Sequence, residues 1–154
     1  MVNLDRDTLY RLDLFVKHVE NTLSNINSIK EQLNSNSLLY KLVEALPMHK
    51  LYILNFQKFL KGEFDWIPPK YTQCDFGKIY HSIDKNYIAK IYGEAAASML
   101  QRIGNIHMSF HETAEECLRC KDEHEFKMLI IELASKSSLL VNTVFELLKT
   151  LPKY

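Results

Sequence analysis

The sequence predicts an all-α protein: an antiparallel four-helix bundle with a short extra helix and a heptad-patterned helix at its N-terminal end. Apolar residues recur at spacings of three and four along most of the chain. Only four glycines and four prolines punctuate 154 residues. The β-branched residues do not alternate with polar ones, as a half-buried strand would require.

The first segment places Leu9, Leu12, Val16, Val19, Leu23, Ile26 and Leu33 on a heptad seam in which Lys30 is the polar exception. Such a seam packs either on the chain's own bundle or between chains, and its narrowness and length favour the second, which makes residues 1–37 an N-terminal amphipathic helix and a candidate coiled coil. "NSNS" at 34–37 is a break, and residues 38–154 form the bundle. Its first part carries Leu42, Leu46, His49, Ile53, Phe56 and Leu60; Pro47 either kinks this helix or starts a new one. Gly62 ends it, before the loop with Pro68 and Pro69. Asp84 caps a long helix over 85–119, whose apolar line includes Ile88, Ile91, Tyr92, Ala95, Leu100, Ile103, Phe110 and Ala114. Asp122 and Glu125 make a capping box for a last helix over 123–150, which buries Phe126, Leu129, Ile130, Leu133, Leu140, Val144 and Leu148.

Composition narrows the function classes. Nineteen basic residues balance nineteen acidic ones, which gives no electrostatic reason to expect nucleic acid or an anionic membrane as partner. The most apolar run, "MLIIELA", is broken by Glu132 and too short for a membrane span. The charged N-terminal stretch lacks a signal-peptide core, and three cysteines do not make a disulfide framework. The expected location is the cytoplasm, with reduced thiols. Asp75-Phe76-Gly77 copies three letters of a protein-kinase motif, but the Gly-rich loop and catalytic loop are missing and the chain is too short for a kinase.

Histidine placement is the informative anomaly. His49 occupies a seam position, and His107 and His111, four apart, continue the inward line from Leu100 and Ile103. That spacing puts both imidazoles on one helical face. Such residues are either hydrogen-bonded core histidines or metal ligands, since unpartnered imidazoles are costly to bury. Zinc favours imidazole nitrogen and thiolate sulfur in a tetrahedral shell. With Cys74 brought in from the loop, His49, His107 and His111 would make a closed three-His, one-Cys site. Cys117, Cys120 and His124 have spacings of three and four, but the capping signal at Asp122 interrupts the helix between them, so free thiols are expected. His18 and His81 are expected to be solvated.

"His49-Lys-Leu-Tyr52", "Cys74-Asp-Phe-Gly-Lys-Ile-Tyr80" and "His107-Met-Ser-Phe-His111", in that order, resemble the chemoreceptor zinc-binding (CZB) domain over about residues 40–149. Tyr52 and Ile79 stand where that family usually has Trp. The resemblance implies a cytoplasmic, usually homodimeric helical bundle. It would hold one zinc per chain through the four residues named and respond to zinc availability or to oxidants such as hypochlorous acid. In that family the domain regulates chemoreceptors and cyclic-di-GMP enzymes, so a chemotaxis or cyclic-di-GMP signalling protein acting in trans is the expected partner. Cys74 is then the redox-sensitive thiolate. Phe76 and Tyr80 are expected to pack over the site beside Tyr52, and Gly77 to let the chain turn after the cysteine. Asp75 is expected to be solvated or to cap a helix. Against a zinc hydrolase, four protein ligands close the shell, and no Glu follows the first histidine as in zinc proteases. A di-iron bundle needs more inward carboxylates than the seams supply. A purely structural, zinc-stabilised dimer is the other reading.

Overall fold

The computed structural model of the chain describes residues 5–34, 36–60 and 68–151, apart from the side chains of residues 50, 53, 57, 59 and 60. Within them the structure is helical: α1 (Arg6–Ile29) and a 3-10 turn (Lys30–Gln32), then α2 (Leu38–Ala45), α3 (Met48–Leu60), α4 (Asp75–Ser82), α5 (Lys85–Tyr92), α6 (Glu94–Arg119) and α7 (Glu123–Thr150). The expected all-α class holds. Gly62 and the side chains of Ile53 and Leu60 lie outside the described residues.

The caps explain most boundaries. Side-chain oxygens of Asp5, Ser37, Asp84 and Asp122 accept backbone N–H groups at the starts of α1, α2, α5 and α7. Pro47 separates α2 from α3, and its carbonyl accepts the Leu51 N–H at 3.3 Å. The helix expected over 85–119 is two helices. Gly93 sits at φ 100° and ψ 164° between them, a conformation essentially reserved for glycine. The α6 axis consequently starts afresh, with Ala96 buried and Ile91 and Ala95 exposed, contrary to the apolar line read through the break.

The seam of α1 was open to a second chain or to its own bundle; α1 packs along α7 of the same chain, burying Leu12, Val19, Leu23 and Ile26. Helix α7 also packs on α6 and α3. Over its most apolar 18 residues α7 has a mean hydropathy of 1.4, enough by length and composition to cross a membrane, although the uninterrupted run alone is too short. In the fold, 56% of that window is buried.

Two apolar clusters form the core. One joins Val19, Leu23 and Ile26 of α1 to Leu42, Phe76, Leu100, Ile103 and Leu140–Leu151. The other joins Leu12 to Tyr52, Phe56, Phe110, Phe126, Ile130 and Leu133. A fully buried side chain such as Phe56 or Phe76 contributes roughly 2 kcal/mol by leaving water. Between the clusters lies a layer of buried polar groups that includes His107, His111, Ser137 and Ser138.

Candidate metal centre

Three separate elements deliver the donors to this layer. His49 is in the first turn of α3, next to the Pro47 break. Cys74 is the residue before α4, and His107 and His111 project from successive turns of α6. The four residues are 2%, 8%, 1% and 2% exposed, in that order, so a polar quartet sits inside the protein. Their donor atoms all lie within 4.8 Å of one another. His107 Nε2 is 3.1 Å from His111 Nε2 and 3.2 Å from Cys74 Sγ.

Backbone carbonyls fix which nitrogens face inward. His49 Nδ1 is 3.3 Å from the Leu46 carbonyl, and His111 Nδ1 is 3.0 Å from the Pro69 carbonyl. A carbonyl only accepts, so both Nδ1 atoms carry the proton and both Nε2 atoms present lone pairs. His49 Nε2 is buried with no hydrogen-bond partner, an arrangement that costs free energy unless something electropositive fills the centre. Cys74 serves as the helix cap of α4. Its Sγ accepts the Gly77 N–H at 3.3 Å and, as a thiol, donates to the Tyr71 carbonyl at 3.7 Å.

Burial sets the protonation states. It pushes His49 down to about 3, assisted by neighbouring His111 and opposed by the Leu46 carbonyl. Burial followed by the other histidines takes His107 down to about 2, and burial takes His111 down to about 4. All three imidazoles are therefore neutral at pH 7, the form in which they ligate metal. Burial raises the Cys74 thiol, while the N–H groups of Gly77 and Phe76 pull the other way.

The donor set fits zinc. Bond lengths of about 2.0–2.1 Å to nitrogen and 2.3 Å to sulfur give tetrahedral edges of roughly 3.3 and 3.6 Å, against 3.1 and 3.2 Å for the two His107 pairs and at most 4.8 Å for any pair. His49, Cys74, His107 and His111 would hold the ion, with the Leu46 and Pro69 carbonyls orienting two of the imidazoles from behind.

Aromatic rings wall the quartet. Phe76 lies edge-on to His49 at 5.1 Å and tilted to His107 at 4.8 Å. Tyr52 contacts His111 at 5.2 Å. Phe110, read from the sequence only as core, is a third wall at 5.5 Å from His49 and 5.4 Å from His111. Tyr80 packs lower on α6, where its ring meets the open side of Gly104. Gly77 does not turn the chain: it lies within α4 and is buried, and a Cβ there would overlap the Tyr71 carbonyl. Asp75 is exposed in the first turn of α4. His18 and His81 are exposed, as expected. Cys117 and Cys120 are free thiols, and among the described residues no metal-type cluster gathers them with His124. The carbonyls of Leu46, Pro69 and Tyr71 had no signature in the sequence, since every residue carries one.

No curated protein and no solved structure matches the chain. Residues 49–118, a little under half of it, contain all four donors and match the family model described as the chemoreceptor zinc-binding domain, CZB, the family that the motifs resemble.

Proposed function

We propose that the protein is a cytoplasmic zinc-binding sensory module that holds one zinc per chain and senses zinc or an oxidant at Cys74. The observation that supports it best is the buried convergence of three neutral imidazoles and one sulfur, with His49 Nε2 left unpartnered. Four donors from one chain leave no open position for a substrate, which favours a regulatory role over a hydrolase.

When bound, zinc supplies the positive charge that keeps Cys74 a thiolate at neutral pH. The chain's own groups do the rest. Phe76, Tyr52 and Phe110 exclude bulk water, and the Gly77 N–H steadies the sulfur. With hypochlorous acid, the Cys74 sulfur attacks the chlorine and hydroxide leaves with the bonding pair; water then displaces chloride from the sulfur, releasing a proton and leaving a sulfenic acid. Sulfenic Cys74 is a weaker donor and a poorer helix cap, so α4 and the preceding residues 69–74 lose their tie to His107. The loosened α4 is read out by a change in a homodimer or by a chemotaxis or cyclic-di-GMP signalling partner.

The test is metal analysis of protein purified without added metal, before and after stoichiometric hypochlorous acid. One zinc per chain, lost in His107→Ala and released from the parent protein by oxidant, is the expected result. Absence of zinc from both proteins overturns the zinc reading. Zinc retained after Cys74 is oxidised overturns oxidant sensing and leaves a structural site.

A further inference from the structure

We propose that Cys117 and Cys120 form a second redox site, a dithiol that closes to a disulfide at the C-terminal end of α6. A separation of three residues on a helix places two Cα atoms about 5 Å apart, within the span a disulfide accepts. The Cβ atoms of such a pair lie roughly 5–6 Å apart, against about 4 Å in a disulfide, so the turn must tighten. Cys120 stands where tightening is easiest. Arg119 is the last helical residue, and the Cys120 backbone has already turned to φ −73° and ψ 131°. Its thiol donates to the Asp122 carbonyl at 3.3 Å.

Exposure divides the roles. Cys120 is partly exposed and lines an open cavity of about 470 Å³ with Glu116, Arg119, Lys121, Asp122 and Glu125. Cys117 lies behind it, 2% exposed, in the apolar cluster with Phe110 and Phe126. Burial and then the neighbouring Cys120 push the Cys117 thiol up to about 12, which fits it as the second thiol to react. A small disulfide such as glutathione disulfide enters at Cys120. The Cys120 sulfur attacks one glutathione sulfur, the other glutathione departs as thiol, and a mixed disulfide remains. Cys117 then attacks the Cys120 sulfur, its proton leaving on the second glutathione. Two protein thiols are oxidised and one glutathione disulfide is reduced to two glutathiones.

Arg119 makes the test direct, because trypsin cuts between the two cysteines. The zinc-supplemented full chain is incubated with glutathione disulfide, alkylated in denaturant and digested. The expected product is the Cys117 peptide joined to the Cys120-Lys121 dipeptide. Cys117→Ser should instead keep glutathione on Cys120, and Cys74→Ser should still form the joined product, showing that the pair works independently of the metal centre. Alkylation of both cysteines in the parent protein overturns the proposal. So does a glutathione adduct on Cys120 with Cys117 still alkylated.

Discussion

Replacing Gly77 with alanine adds one methyl group where the Tyr71 carbonyl now lies. The new Cβ would overlap that carbonyl oxygen and stand 2.9 Å from its carbon and 3.3 Å from His107 Cε1. On a free helix the change would stabilise by about 1 kcal/mol. Here the obstacle is backbone, which cannot rotate aside as a side chain can, and overpacking of this kind costs about 1–3 kcal/mol. The net expectation is a loss of about 0–2 kcal/mol. The larger effect falls on the metal. The Gly77 N–H donates to the Cys74 sulfur and the Tyr71 carbonyl lies beside that sulfur, so displacing either segment moves the donor. Loss of such supporting contacts typically weakens metal affinity by about 10–100-fold. Competition with a chromophoric chelator measures that affinity, and urea unfolding of chelated protein measures the stability. Gly104→Ala is the control: its Cβ meets the Tyr80 ring, so it should lower stability and leave zinc affinity within about threefold. Wild-type affinity in Gly77→Ala would refute the close-approach argument.

The remaining predictions use other features. In chelated protein His49, His107 and His111 have folded-state values far below the usual 6.5, so the unfolded chain binds more protons than the folded one. Stability is then full above about pH 6.5 and falls as pH drops toward the folded values, by about 2 kcal/mol per histidine at pH 5. Urea midpoints at pH 7.5 and 5.0 check this; equal midpoints would sink it, and a triple His→Gln variant should flatten the profile. Gly93→Ala forces a side chain into a glycine-only conformation with no neighbour within 4 Å, so it should cost about 1–3 kcal/mol from backbone strain alone and leave zinc binding unchanged. Asp122→Ala removes the acceptor of the His124 N–H at the start of α7 and should cost about 1 kcal/mol in the same unfolding assay.

The four donors were legible because histidines on an apolar seam contradict the pattern around them, and because His107 and His111 share a helical face. The helix class and the caps at Asp84 and Asp122 were legible for a related reason: local chemistry decides them. Gly93 was not, since the three-four period runs on through residues 85–119 whether or not the backbone breaks, and one glycine inside a helix is tolerated. The partner of α1 was also hidden. A narrow apolar seam states that it must be covered, and α7 of the same chain meets that demand as well as a second copy would. The carbonyls of Leu46, Pro69 and Tyr71 depend on loop paths that long-range packing decides.

The polar layer between the two apolar clusters has a mechanical consequence. Helices α1, α6 and α7 run through both clusters, whereas α3 enters one through Tyr52 and Phe56 and α4 the other through Phe76 and Tyr80, and the donors at their starts meet at the layer. A filled centre ties those shorter helices to the long ones and makes the molecule one cooperative block. Without that tie the two clusters are joined by the long helices alone, and the halves can melt at different denaturant concentrations. Chelation should therefore broaden the unfolding transition and lower its apparent m-value as well as shifting its midpoint.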